Sequence, residues 1–536
     1  MKNNNENSQN TNRNSDCNDN NDGKKYVKDY ELSQYEDIDL KFFSSKGVEA
    51  RYIEQELPAY KGNVLIEALP PKLDEIQTHR ALRRVPFYGE AERYKSDIYR
   101  LDAVMGLNRF IYVRNEMVQI ATTFDSILRR GYADKYINTA KYKQSLSITG
   151  EALRNSKKKE YQLTMNVVEK PIDSPMASSM CIIGASGEGK STVINRILSR
   201  YPQLIHHTTG IGNYKEFNQI VWIKIECVSN KRITGLILNF LGKIDEVIGT
   251  DFAIRYKGSS QEQLKLLMKQ LIKYFGIGSL VIDEMQHIGK TTESETIFNE
   301  LVSLVNEVNI PIVYIGTYQL KNTVFDKQFR HGRRGEGIGT YDLVLLDGEE
   351  FDTFLMTLWK YQWTKKYVEL TPAIKKVMYE KTLGIVDYIV KIFIVTQIEA
   401  IYNGTEKITA KLINQVANKN FKMTKKQREA YRSNDIDQII KCADLLPVDI
   451  QIIQDDRKSR IEADRKIKEY CQSKEYLSEV KTDDAVMDVA THFVQEGFQQ
   501  EHIEKIARNV IKKHGLLQRP ELLKKVGKLL REEKEE

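Results

Sequence analysis

The chain has 536 residues, 41% hydrophobic and 29% charged, which suits two to four domains with large cores and excludes both a peptide scaffold and a globally disordered chain. Lys and Arg number 81 against 74 Asp and Glu, a net charge of +7 that tolerates an anionic partner without demanding one. Five cysteines (Cys17, Cys181, Cys227, Cys442, Cys471) without a CxxC pair exclude a disulfide framework or zinc knuckle, and no run reaches about eighteen apolar residues, so a reducing cytoplasm and no membrane span are expected.

Residues 1–28 are Asn-rich with almost nothing to bury and read as a disordered tail, a solvated terminus rather than a metal site. Residues 29–105 form an accessory region punctuated by turn signals at Pro58, Gly62-Asn63 and Pro70-Pro71. The spacing over Phe110–Gly131 predicts an amphipathic helix with a cationic last turn, Arg129 and Arg130, and a glycine stop. Within 106–347, apolar runs at Met180–Ile183, Ile220–Ile225, Leu280–Ile282 and Pro311–Ile315 alternate with helical patterns at Thr192–Arg200, Ile233–Ile248, Gln261–Phe275 and Glu295–Val308. Buried strands linked by helices imply a parallel, doubly wound α/β sheet. Residues 348–425 turn helical, notably Ile385–Tyr402 and Thr409–Ala417, as a lid. A charged helical tail fills 426–536, with Glu501–Leu530 reading as two amphipathic segments broken at Pro520.

Chemistry concentrates in three places. Gly184-Ala185-Ser186-Gly187-Glu188-Gly189-Lys190-Ser191, followed by Thr192, matches G-x-x-x-x-G-K-[ST] between an apolar run and a helix. Its glycines turn backbone N–H groups onto phosphate, Lys190 neutralises β- and γ-phosphate charge, and the Ser191 hydroxyl suits magnesium, which calls for ATP and Mg2+. Asp283 and Glu284 end the next apolar strand but one in the series, Asp283 as a metal holder and Glu284 as the group that polarises water. Thr317, at the end of the run starting at Pro311, is a candidate water-orienting sensor. Arg330, Arg333 and Arg334 lie in a glycine-flanked basic cluster that would reach a neighbouring subunit's nucleotide or DNA phosphates. Trp222, Trp359 and Trp363 are expected in cores, the last two on one helix face, and His206-His207 receive no ligand role.

The order P-loop, acid pair, Ile315-Gly316-Thr317 strand, arginine cluster and helical lid resembles AAA+ ATPases, so the expected fold is an α/β AAA+ P-loop NTPase core with a parallel sheet, a helical lid and a helical C-terminal tail. The wording at Asn63–Pro71, Leu128–Tyr132, the P-loop with the following Asn195–Gln203, Leu280–His287, Arg333–Gly339 and Gly384–Ile401 is similar to the TnsC/TniB regulators of cut-and-paste transposons, over about residues 60–450. That resemblance implies an ATPase that assembles as a ring or filament on duplex target DNA in the bacterial cytoplasm. Its implied partners are a target-selecting protein of TnsD/TniQ type and transposase subunits of TnsA/TnsB type, and hydrolysis would disassemble it. It also implies that Arg333 and Arg334 act across subunits and that both terminal regions contact transposase. Lys231 and Arg232, after Val221–Ile225, are expected to meet DNA, with a solvated helix start as the alternative. The lid segment departs from the pattern by lacking the sensor arginine of many AAA+ lids, which leaves open whether Lys391 substitutes. The competing readings are a replication initiator or helicase loader, and a non-hydrolysing nucleotide-gated scaffold.

Overall fold

A computed structural model describes residues 47–133, 135, 140–155, 179–208, 216–227, 232–288, 292–320, 339–421, 423, 425–433, 435–442, 450, 451, 455 and 474–535. The Asn-rich tail lies outside the described residues, as do Lys231 and the cluster Arg330, Arg333 and Arg334. Two compact units are formed, one drawn from Met1–Ile401 and Glu406–Val448 and the other from Tyr402–Thr405 and Asp449–Glu536.

The strands are β1 (Val48–Glu49), β2 (Met180–Gly184), β3 (Leu204–His207), β4 (Phe217–Ile220), β5 (Trp222–Glu226), β6 (Ser279–Asp283), β7 (Ile312–Gly316) and β8 (Gly339–Leu343). Five of them build one sheet in the order β5-β6-β7-β2-β8, every pairing parallel, with Leu280 opposite Ile312 and Ile182 opposite Ile315. Alternate residues share a face. Ile182, Val281, Val313, Ile315 and Leu343 join one hydrophobic cluster, while Cys181, Leu280, Ile282, Ile312 and Tyr314 between them are also buried. A sheet covered on both faces needs strands that are apolar throughout, which explains the continuous runs in the sequence. The run Ile220–Ile225 divides at Val221 into β4, which pairs with β3 in a small second sheet with β1, and β5 of the main sheet.

In the N-terminal part lie α1 (Glu75–Leu82), α2 (Asp97–Met105), α3 (Asn115–Ala133) and α4 (Ala140–Asn155). The segment Asn63–Pro71 is an anchor: Leu65, Ile66 and Leu69 are fully buried, Asn63 Nδ2 donates to the Tyr132 carbonyl at 3.0 Å, and Arg129, paired with Asp125 at 3.0 Å, donates to the Pro70 carbonyl. Helix α3 buries Ile120, Phe124, Ile127, Leu128 and Tyr132 in the cluster that takes one face of the sheet. It starts five residues later than its periodicity predicts, because Phe110–Arg114 is extended and Ile111 pairs with Arg84. Gly131 is inside α3 rather than a stop; a Cβ there would lie 2.6 Å from Pro311 Cγ, so glycine serves close packing.

The core helices are α5 (Lys190–Leu198), α6 (Ile233–Ile248), α7 (Gln261–Tyr274) and α8 (Thr292–Val308). Four helices follow β8: α9 (Gly348–Trp359), α10 (Pro372–Thr382), α11 (Val386–Tyr402) and α12 (Ala410–Asn420). Thr371 and Thr409 accept the N–H of Ile374 and Leu412, capping α10 and α12. Helix α11 is apolar nearly all round and buries Ile389, Ile392, Phe393, Ile394 and Ile398, each worth about 1.5–3 kcal/mol, as the centre of this helical subdomain. Trp359 ends α9, whereas Trp363 lies beyond it, so the two do not share a helix face; both are buried, and Arg100 Nη1 donates to the Trp363 carbonyl at 2.9 Å. A basic helix α13 (Lys425–Ser433) follows.

In the second unit α14 (Lys474–Val494), α15 (Gln500–His514) and α16 (Arg519–Glu535) enclose their own core of Val489, Phe493, Ile503, Val510, Leu522 and Val526. Pro520 stands in the first turn of α16, where its missing N–H costs nothing, so it opens a helix. Among the described residues no helix is long and apolar enough to cross a membrane.

Candidate functional site

The strand β2 delivers the chain into the turn Gly184–Gly189, and α5 begins at Lys190. Gly189, at the N-cap, has φ 82°, a left-handed value that glycine takes without cost, and no side chain caps the helix. The first-turn N–H groups of α5 are thereby left for an anion. Lys190 Nζ folds back onto the carbonyls of Gly184 at 3.0 Å and Ala185 at 2.7 Å, its ammonium held at the mouth of the cradle.

A cleft of about 330 Å³ opens over this turn, lined by Ser186–Val193 together with Glu284, Gln286 and Thr317. Apolar side chains including Ile111, Met117, Phe354, Val386 and Val390 also line it. The contrast matches a ligand with an apolar base and a charged phosphate end. The strand order puts β7 between β2 and β6, so Thr317, just past β7, lies between the P-loop and the acid pair. Thr317 lines the cleft, is 8% exposed, and its buried Oγ1 has no hydrogen-bond partner.

Asp283 ends β6 buried, and its Oδ2 lies 2.9 Å from Lys224 Nζ, which also donates to Asn195 Oδ1 at 2.8 Å. This ammonium supplies the positive charge that a divalent cation would bring, and with the Ser191 hydroxyl on the first turn of α5 the hard oxygen donors fit magnesium. Glu284 has φ 57°, uncommon for a residue with a side chain, and its carboxylate accepts from Gln286 Nε2. Gln286 Oε1 in turn accepts the Thr317 N–H at 3.1 Å. Among the described residues no group of three or more His, Cys, Asp and Glu side chains forms a metal cluster.

Sequence reasoning overlooked Arg114. Its buried guanidinium lies 3.5 Å from Glu188 Oε2 in the P-loop and donates to the Val344 carbonyl at 2.9 Å, with Glu116 and Glu350 each 3.6 Å away. Burial pushes the Glu188 carboxyl up to about 8, although the charges of Arg114 and Lys190 work against it. From the lid, the Asp387 N–H donates to the Gly187 carbonyl at 3.0 Å, fastening the start of α11 to the P-loop. Lys391, one turn on, lines the cleft and pairs with Asp387 at 2.9 Å. Arg232 is the N-cap residue of α6 and exposed, outside this cleft. His206 and His207 diverge as expected; buried His207 bonds Tyr52 and Gln219, and burial pushes its imidazole down to about 4.

A glycine-rich turn at a helix N-terminus, an acid pair two strands away and a polar strand end between them form the arrangement of a P-loop domain. Residues 176–324 match the family model described as an AAA domain, and the chain thus holds an AAA-type P-loop ATPase domain. No curated protein matches the chain. Among solved structures, it is similar to the ORC1 protein of Aeropyrum pernix in complex with DNA (16% identity, TM-score 0.33), over 52% of this chain and 64% of that one. A Walker-type ATPase of Pyrococcus abyssi is matched at 14% identity and TM-score 0.31, over 51% of this chain and 71% of that one. Drosophila ORC bound to DNA is matched at 10% identity and TM-score 0.31, over 75% of this chain and 90% of that one. The chain thus spans less than two thirds of the Aeropyrum protein's length.

Proposed function

We propose that this chain is an ATP-hydrolysing regulator of DNA transposition. It assembles as a ring or filament on duplex target DNA, links a target-selecting protein to the transposase, and comes apart on hydrolysis. The observation that carries the ATPase part is the cleft lined together by the P-loop, Glu284 and Thr317, whose buried hydroxyl has no partner. The transposition part is supported by the ordered TnsC/TniB-like wording from Asn63 to Ile401.

In this reading the first-turn N–H groups of α5 receive the phosphates, and Lys190 turns from the Gly184 and Ala185 carbonyls to the β- and γ-phosphate oxygens. Ser191 and Asp283 hold magnesium, which supplies charge neutralisation at the phosphates when bound. Glu284 accepts the proton of the attacking water, and Thr317 Oγ1 orients that water. Arg333 and Arg334 complete the site of a neighbouring subunit, Lys231 and Arg232 meet the DNA backbone, and the terminal regions contact transposase.

The test is co-sedimentation with duplex DNA in a non-hydrolysable ATP analogue and in ADP, with electron microscopy of the pellet. Rings or filaments on DNA with the analogue alone are expected. DNA binding indifferent to nucleotide would contradict the nucleotide-gated assembly.

A further inference from the structure

The Glu284 carboxylate stands on a left-handed backbone and its side chain is 45% exposed; the half-exposed His287 Nε2, 3.6 Å from Oε2, is too far for a hydrogen bond and holds its oxygens only loosely. A general base with that freedom loses rate, since a displacement of about 1 Å from the reacting geometry costs roughly a hundredfold. The restraint comes from Gln286. It belongs to a short turn, Met285–Ile288, whose Met285 and Ile288 are buried and whose middle lies over the end of β7. Its Nε2 donates to Glu284 Oε2 while its Oε1 accepts the Thr317 N–H at 3.1 Å. The reversed amide would set oxygen against carboxylate and NH2 against N–H, so the two partners together dictate one orientation. Gly316 leaves the space for it: a Cβ there would lie 3.0 Å from Gln286 Oε1 and 3.0 Å from Leu320 Cδ2.

We propose that Gln286 is a positioning residue for hydrolysis, a strut that ties one oxygen of Glu284 to the backbone of the sensor strand and leaves the other to take the proton from water. The inference rests on the ATPase reading above and adds to it the residue that couples its two halves, the acid just past β6 and the sensor just past β7. A carboxamide of this length meets the chemical demand. It donates to a carboxylate and accepts from an amide at once, which glutamate, lysine and methionine do not; asparagine does so but is one methylene too short.

The experiment measures steady-state ATP hydrolysis and fluorescent-nucleotide affinity on the full chain for wild type, Gln286→Ala, Gln286→Glu and Gln286→Asn, each also combined with Glu284→Gln. Expected is a fall in kcat of about ten- to a hundredfold for Gln286→Ala with KM and nucleotide affinity within about twofold. Gln286→Glu, which keeps the shape, falls as far; Gln286→Asn does not recover the rate. In the Glu284→Gln background Gln286→Ala has nothing further to remove, so the two losses are not additive. A purely structural role would lower nucleotide affinity, spare the isosteric Gln286→Glu and add to the Glu284→Gln defect, and any of these overturns the proposal. So does faster hydrolysis by Gln286→Ala, which would mean that the strut holds Glu284 out of reach. A wild-type chain that hydrolyses nothing would instead defeat the ATPase reading itself and remove the step that Gln286 is proposed to serve.

Discussion

The fully buried Arg100 of α2 clamps the N-terminal region to the lid. Its Nη1 and Nη2 meet the two Glu406 oxygens at 2.7 and 2.6 Å, and Nη2 also takes Asp97 Oδ1 at 2.6 Å. Burial works to raise the Glu406 carboxyl, but hydrogen bonds from Arg100 and the Lys365 N–H, with the charge of both side chains, hold it below the usual carboxylate range. Removing one member of such a pair strands the other, at about 3–5 kcal/mol, whereas removing both strands neither. Arg100→Met and Glu406→Gln are therefore each expected to lose several kcal/mol in a urea titration followed by tryptophan fluorescence. The double variant should lose less than the sum by about 1–3 kcal/mol. Two of the three tryptophans, Trp359 and Trp363, are buried in the lid beside the clamp, so the signal reports the right place. Because the folded pKa is depressed, this stabilisation is present above the unfolded carboxyl pKa and is lost as the pH falls through the folded value. Additive losses, or single losses below about 1 kcal/mol, would refute the clamp.

Three more outcomes follow from the cleft. Glu188→Gln should track wild type below the ordinary carboxyl pKa and become progressively more thermostable than it as the pH rises towards about 8, since the raised folded pKa makes ionisation the penalty; a variant less stable than wild type at pH 8 contradicts this. Thr317→Val deletes a buried hydroxyl without a partner, so melting temperature should hold or rise while hydrolysis falls about tenfold; a loss of stability with full activity would assign Thr317 to structure. Lys224→Met removes the ammonium 2.9 Å from Asp283, and the magnesium concentration that half-saturates nucleotide binding should fall several-fold, read by fluorescent-nucleotide titration; a rise would mean that Lys224 organises the site rather than competing for it.

The central strands β2, β6 and β7 were legible because burial on both faces demands unbroken apolar runs, and the P-loop and acid pair were legible because their spacing is local. Strand β8 was not, since Gly339-Thr340-Tyr341-Asp342-Leu343 sits at a sheet edge and only Leu343 is fully buried. Nor was β3, whose His206 and His207 satisfy their polarity across the chain with Asn218 and Gln219. Glycine at 131 has the local look of a helix stop, and only Pro311, 180 positions away, explains it. The same distance hides the site's support: Arg114 meets Glu188 through tertiary packing, and Gln286 meets Thr317 across 31 residues. Its one local trace is a polar residue two places after Glu284 in a turn that is otherwise buried at Met285 and Ile288.

The most direct test of the account is phosphate release from Mg-ATP by wild type, Lys190→Ala and Glu284→Gln, each with nucleotide affinity measured on the same preparation. The account predicts turnover by wild type, lost nucleotide binding in Lys190→Ala, and retained binding with hydrolysis reduced at least about a hundredfold in Glu284→Gln. Normal hydrolysis by Glu284→Gln, or tight ATP binding by Lys190→Ala, would contradict it.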